Sequence, residues 1–221
     1  MADEEPSVEC RPNGPLKVQG LPLTRKRPVE SEHGEPLSWF TSEEVTDRDR
    51  YFLCRCGLSD DKPFCDGTHK REGWEADDSD SGTYDERAAT LGGSGITVRD
   101  DRSICVHAGF CGNRETNVWD QVSDTAETSV RVQVIAEIEH CPSGALTWRP
   151  EGAEADLEPD YRPGVGIIDD GPLWVTGGVT VTLPDGTTLE RRNRVTLCRC
   201  GASSNKPLCD GQHKEIGFTD S

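Results

Sequence analysis

Long hydrophobic runs are missing from this 221-residue chain, in which 33% of residues are hydrophobic and 6% aromatic. No stretch reaches the length of a membrane span. The N-terminal MADEEPSVEC has neither a cationic n-region nor an apolar h-region, so no secretory signal is expected and the compartment reads as cytoplasmic. So small an apolar fraction is thin for one continuous core, and 23 Gly with 14 Pro argue against long helices. Basic residues are outnumbered 24 to 41, giving a formal charge of −17. Nucleic acid and anionic membrane surfaces are therefore excluded as partners. The charge itself fits either solubility, as in a salt-adapted or acid-biased proteome, or steering toward a basic face on a partner. Also missing are a Ser–His–Asp set, a phosphate-binding glycine loop and a dinucleotide fingerprint. Carboxylate pairs carry no information in so acidic a chain. A catalytic role is not visible, and the chain reads as a non-enzyme.

What the chain does have is ten cysteines. Disulfides are rare in the cytosol, so metal is the expected explanation. A loop-rich chain with little apolar surface needs staples, and bound metal would contribute to folding directly.

The two ends of the chain resemble each other. NGPLKV (residues 13–18) returns as DGPLWV (170–175), and LCRCG occurs at 53–57 and again at 197–201. KPFCDGTHKREGW, ending at Trp74, is matched by KPLCDGQHKEIGF, ending at Phe218. Two copies of one module thus bracket an unrelated centre. The first copy is longer and carries a solvated segment, ESEHGEP, read as a loop. The expected organisation is a disordered N-terminus (1–12), module 1 (13–75), an acidic and glycine-rich linker (76–94), a separate cysteine-bearing central domain (95–150), a second linker (151–167) and module 2 (168–221). In module 2, alternation around Pro184-Asp185-Gly186 predicts a hairpin with strands near 173–183 and 187–197. Weaker counterparts fall near 15–24 and 48–53. Asp66 and Asp210 are placed to cap a short helix after each cysteine loop. The centre reads as strand 96–99, a cysteine loop, a short strand at 118–119, a helix near 130–139 and strand 145–148. The fold class is α+β, loop- and β-rich.

The flanking sites are C-R-C-G-L-S-D-D-K-P-F-C-D-G-T-H, from Cys54 to His69, and its repeat from Cys198 to His213. Cysteines two apart in an extended loop can reach one iron. Cys65 and His69, four apart across one helical turn, can hold a second. Three thiolates and one imidazole complete the ligand set of a two-iron, two-sulfide cluster. The same donors are also an accepted zinc set, although zinc motifs usually open with C-x2–4-C rather than C-x-C.

This pattern resembles the CDGSH iron–sulfur family, typified by mitoNEET, with signature C-x-C-x2-[ST]-x3-P-x-C-D-G-[SAT]-H. The first copy matches in full, with Ser59, Pro63 and Thr68 at the non-ligand positions. The second keeps Ser203 and Pro207 but has Gln212 where the family has a small residue, a departure bearing on exposure or hydrogen bonding rather than on binding. The resemblance implies one 2Fe-2S cluster on Cys54, Cys56, Cys65 and His69, and another on Cys198, Cys200, Cys209 and His213, with the Cys–His pair on the outer iron. It also implies a pseudo-twofold pairing of modules, within one chain or in a homodimer. Replacing a thiolate by neutral imidazole raises the potential, and protonation competes with metal at that nitrogen. His69→Cys and His213→Cys are accordingly expected to lower the potential of the altered site and slow its bleaching in mild acid. Bleaching as fast as in the wild type would exclude imidazole protonation as the release step.

The centre offers Cys105 and Cys111, then Cys141-Pro142. Bacterial ferredoxins present C-x2-C-x2-C and a later C-P; here Ala108 occupies the middle position. Three thiolates suit a 3Fe-4S cluster, the alternative being a 4Fe-4S cluster whose last iron takes His107, water or another non-cysteine ligand. The segment resembles the divergent single-cluster ferredoxin domain. His107 stands one place off the vacant position and is read as a neighbour.

Cys10 is read as a free thiol, His33 as a loop residue and His140 as a surface residue at a helix end. Trp39, Trp119, Trp148 and Trp174 are read as core packing, and Lys70, Lys206 and Lys214 as solvated. The function expected from all this is electron transfer between a reductase and an acceptor oxidoreductase. Cluster transfer and redox or pH sensing are the alternatives.

Overall fold

The computed structural model describes residues 5–220. The first copy supplies β1 (Ser7–Cys10), β2 (Leu16–Gln19), β3 (Leu23–Glu30), β4 (Pro36–Thr46), β5 (Arg50–Leu53) and α1 (Thr68–Arg71). The centre follows with α2 (Tyr84–Arg87), β6 (Ala89–Gly92), β7 (Ile96–Asp100), α3 (Val118–Gln121), α4 (Thr128–Glu139) and β8 (Leu146–Pro150). The second copy is β9 (Gly164–Ile168), β10 (Leu173–Thr176), β11 (Thr180–Thr182), β12 (Arg194–Leu197) and α5 (Gln212–Glu215).

The two copies pair within the chain, and each lends a strand to the other. One sheet runs β11-β1-β2-β5 and the second β12-β10-β9-β3-β4. The borrowed strands, β11 on β1 and β3 on β9, are parallel to their hosts. Swapping places both copies on one core, in which Leu16, Val18, Leu23 and Leu53 pack with Ile167, Leu173, Val181 and Leu197. Shared burial answers the shortage of apolar residues, since neither copy holds enough for a core of its own. The centre is an antiparallel sheet, β6-β7-β8. Val134 and Ile138, four apart on one face of α4, pack there with Val98, Val118 and Leu146. The architecture is mixed α+β, with CDGSH-like modules around the ferredoxin-like centre.

Several segments depart from the sequence reading. Of the first twelve residues, 1–4 lie outside the described residues, while Ser7–Cys10 forms β1 with Val8 and Cys10 buried. Cys10 is free, but it is a core residue rather than part of a polar tail, and burial pushes its thiol up to about 12. The expected strand at 118–119 is instead the start of α3, because the Asn117 side chain accepts from Asp120 N and caps a helical turn. The long strand expected over 173–183 breaks at Gly177 and Gly178, both at positive φ, and its halves enter different sheets. The turn at Pro184–Gly186 forms, and the return pairs in one register at the bridge Thr182–Thr188 and again where Arg194–Leu197, its only strand, runs antiparallel to Leu173–Thr176.

The expected linkers are integrated into the fold. In 76–94, Tyr84 is buried and donates to Ala145 O, and Asp78 is buried against Arg55. In 151–167, β9 is a central strand of the second sheet. ESEHGEP is the tip of the β3–β4 hairpin, which the second copy lacks and which grips the central domain. Glu35 accepts from Arg114 N at 2.9 Å, and Trp39 donates to His140 O at 2.9 Å while packing 4.7 Å from Phe110. His140 also stacks on Phe110, at 5.3 Å between ring centroids, so this helix-end residue is part of the joint rather than a free surface group.

Candidate iron–sulfur centres

The two flanking loops are built alike, bond for bond. Cys54 N donates to Pro63 O and Cys198 N to Pro207 O, both at 2.8 Å. Ser59 Oγ closes the loop onto Phe64 O, and Ser203 Oγ onto Leu208 O, both at 2.7 Å. Asp66 accepts from Thr68 N and Asp60 N, and Asp210 from Gln212 N and Ser204 N. The two carboxylates therefore brace the helix start as expected, although the capping position itself falls on Gly67 and Gly211, both at positive φ. The bonds hold the Asp66 carboxyl well below the usual range.

The donors converge in pairs. Cys54 and Cys56 sulfurs lie 3.5 Å apart, and Cys198 and Cys200 sulfurs 3.8 Å apart. A tetrahedral ion with sulfur at about 2.3 Å separates two thiolates by about 3.7 Å, so each pair has the spread of two ligands on one metal. Cys65 Sγ is 3.4 Å from His69 Nδ1, and Cys209 Sγ is 3.4 Å from His213 Nδ1. Among the described residues no three or more donors gather on a single point. Two separate pairs per loop fit a cluster of two irons.

The electrostatics of the loops favour ionised sulfur where it is needed. In each C-x-C pair a hydrogen bond from the neighbouring sulfur holds one thiol down, Cys54 to about 5 and Cys200 to about 6, and raises its partner. A hydrogen bond shared in this way favours one thiolate per pair, the form that ligates metal. Burial raises Cys65, and raises Cys209 to about 12. Burial first, then the cationic neighbours Lys214 and Arg199, lowers His213 to about 4. That keeps the imidazole neutral and able to accept a metal.

The two sites differ in cover. Cys209 is 1% exposed, whereas Cys65 is half-buried beside a cavity of about 440 Å³ that also meets His69, Gly67 and Lys70. A chelator is expected to strip the module 1 site before the module 2 site, followed as two separable losses of visible absorbance. The reverse order would contradict this reading of the cover.

In the centre, Cys105, Cys111 and Cys141 line a cavity of about 210 Å³ with Phe110, Trp119 and Pro142. One water needs only roughly 10–15 Å³, so the space suits a polyatomic group rather than a lone ion. Burial raises Cys105, and raises Cys111 to about 11. Ala108 lines the same cavity and offers no donor side chain. His107, at φ 54, sets its ring against Gly211 of module 2.

Family models agree with this geometry. One described as iron-binding zinc finger, CDGSH type, matches residues 13–70 and 170–214. Another, a divergent 4Fe-4S mono-cluster, matches 91–151. Two CDGSH-type domains flank a divergent mono-cluster domain in this chain. It is an iron–sulfur protein. No curated protein matches the chain.

Sequence reasoning missed the arginines that hold these loops. Arg55, between the two module 1 cysteines, donates to Gly14 O at 2.6 Å and Arg11 O at 2.8 Å and pairs with Asp78, both side chains 2% exposed. Arg199 repeats this with Gly171 O, Ile168 O and Asp220. The signal was present in the sequence, as the same Arg inside both LCRCG segments. Arg55→Lys keeps the charge but loses the planar fork. It is expected to cost about 1–2 kcal/mol in chemical denaturation and to speed loss of the module 1 chromophore. An unchanged midpoint would mean that the fork is dispensable.

The expected solvated lysines divide. Lys70 and Lys214 are exposed, whereas Lys206 is half-buried with Nζ on Ser203 O. Trp119 and Trp148 pack on the central core, and each indole also donates to a carboxylate, Asp100 and Glu139.

Proposed function

We propose that the chain is a one-electron relay holding two 2Fe-2S clusters and one central cluster, and that it passes electrons between a reductase and an acceptor oxidoreductase. In module 1 the ligands are Cys54, Cys56, Cys65 and His69, and in module 2 Cys198, Cys200, Cys209 and His213. In the centre Cys105, Cys111 and Cys141 supply three thiolates, which favours 3Fe-4S. The family description favours 4Fe-4S, which here requires a non-cysteine ligand on the last iron. The observation that carries the proposal is the pairing of donors in both flanking loops, beside a three-thiolate cavity in the same fold.

When bound, such clusters take up and release single electrons without breaking substrate bonds. The protein supplies the rest. Arg55 and Arg199 fix the C-x-C loops, Asp66 and Asp210 fix the helix starts, and burial of the sulfurs limits water. Backbone N–H of Leu58 lies 3.5 Å from Cys56 Sγ, a contact that favours negative charge on that sulfur.

The test is iron, sulfide and zinc analysis of anaerobically purified protein, with EPR before and after reduction. A three-iron centre predicts about seven irons per chain and a signal already present in the oxidised protein; a four-iron centre predicts about eight. A colourless, zinc-loaded preparation would overturn the proposal. The half-buried Cys65 favours one second reading, delivery of the module 1 cluster to an acceptor. Mixing holo protein with an apo-ferredoxin separates the two, because a relay leaves the acceptor empty.

A further inference from the structure

The contacts among the three sites do not follow chain order. Modules 1 and 2 meet at their cysteine loops, where Cys56 and Cys200 form an antiparallel bridge. A Cβ on Gly57 would lie 2.5 Å from Cys200 O, and one on Gly201 would lie 2.4 Å from Cys56 O. The inner ligands of the two flanking sites are thus in backbone contact.

The central site touches only one of the two outer Cys–His edges among the described residues. A Cβ on Gly211, between Cys209 and His213, would lie 2.4 Å from His107 Cδ2 and 3.0 Å from Cys105 O. The equivalent Gly67 of module 1 has nothing within 4 Å of such a Cβ. Asn205 Nδ2, in the module 2 loop, also reaches Ser103 O at 3.4 Å. The Cys141 loop is fastened to the same module, since Arg194 donates to Cys141 O at 2.7 Å and Arg192 to Gly144 O at 2.8 Å. Two copies of one loop therefore provide an internal comparison. In module 1 His69 is buried but Cys65 is only half-buried and nothing stands over Gly67, whereas in module 2 the same edge is closed by a segment of the centre.

We infer that the module 2 site is the middle station of a linear relay, so that electrons pass between the module 1 site and the central site only by way of module 2. This rests on the three-cluster reading above. The Cys56–Cys200 bridge joins the first pair of sites, and the Cys105–His107 segment against Gly211 joins the second. Tunnelling falls steeply with separation, so backbone contact at both joints favours this order over a direct step. An electron crossing either joint oxidises one site by one unit and reduces the other by one, with no bond broken and no proton carried. The open module 1 edge is left as the terminus facing a partner.

The test uses anaerobic holo protein, with the two 2Fe-2S EPR signals distinguished by their shifts in His69→Cys and His213→Cys. In the wild type the module 2 signal is expected to relax faster than the module 1 signal because of the paramagnetic centre beside it. Equal relaxation, or faster relaxation of module 1, would overturn the order. In Cys209→Ser, lacking the module 2 cluster, electron equilibration between the two remaining sites after a flash-generated reductant is expected to slow at least tenfold. Unchanged equilibration with both clusters still present would overturn the order and leave the three-cluster reading standing. Absence of a central signal and its iron from the wild type would overturn both. The relaxation measurement needs no change at the central site or in Cys209, so it decides the matter even where Cys209→Ser fails to fold.

Discussion

Arg194→Leu is expected to destabilise the protein by about 3–5 kcal/mol and to release the central cluster during purification. Arg194 is fully buried, and its guanidinium donates to Ile138 O, Glu139 O, Cys141 O and Leu146 O. Its Nε faces Glu158 at 2.8 Å. Leucine would fill much of the volume but remove all of these donors, leaving Ile138 O, Glu139 O and Cys141 O only Cys141 N, Tyr161 Oη and Gly144 N, and leaving Glu158 without the cation beside it. The end of α4 and the Cys141 loop would then lose their tie to β12. Arg191 is the control, because it is exposed in the same basic run and Arg191→Leu is expected to change stability by less than about 0.5 kcal/mol. Denaturant titration with iron counting checks both. A loss under about 1 kcal/mol, with the central cluster retained, would show that the centre docks without Arg194.

Gly57→Ala and Gly201→Ala should each damage both flanking sites. Each glycine has positive φ, 78° and 82° respectively, which costs an alanine about 1–2 kcal/mol. Each added Cβ would also strike a carbonyl of the other copy's ligand cysteine, 2.5 Å away from Gly57 and 2.4 Å from Gly201. Backbone on both sides leaves no flexible group to yield, so the strands must part. The expected cost is at least about 3 kcal/mol per substitution, with loss of iron from both flanking sites. Gly73 isolates the conformational part, since its φ is 62° and nothing lies within 4 Å of a Cβ there. Gly73→Ala should cost only the strain and keep all the iron. If Gly57→Ala cost no more than Gly73→Ala, the seam between the cysteine loops would be looser than the structure shows.

Legibility from sequence followed the range of the interactions. The C-x-C pairs and the Cys–His turns were readable because their donors lie two and four residues apart, where backbone geometry alone brings them together. The bracing roles of Asp66 and Asp210 were readable for the same reason. The arginines were not, because Arg55 finds Asp78 across 23 residues and Arg194 reaches Cys141 across 53. Beyond the repeated Arg of the two LCRCG segments, nothing local marks an arginine as buried, and a basic run in an acidic chain reads first as solvated. The linkers were misread on the same ground. Acidic composition predicts exposure, yet Asp78 and Glu158 turn inward to meet guanidinium groups. The 118–119 segment failed on capping, since one Asn side chain outweighed the β preference of Val and Trp.

The sequence by itself determined the candidate donors, their pairing at short spacing and their duplication, because those follow from residue type and near spacing. Tertiary structure alone decided that the copies exchange strands on one core, that the longer hairpin of the first copy clamps the centre, and that the second copy's Cys–His edge is covered while the first stays open. The two loops share their four candidate ligands and their spacing, so that chemistry alone does not set them apart. The difference arises from what long-range packing sets against Gly67 and Gly211.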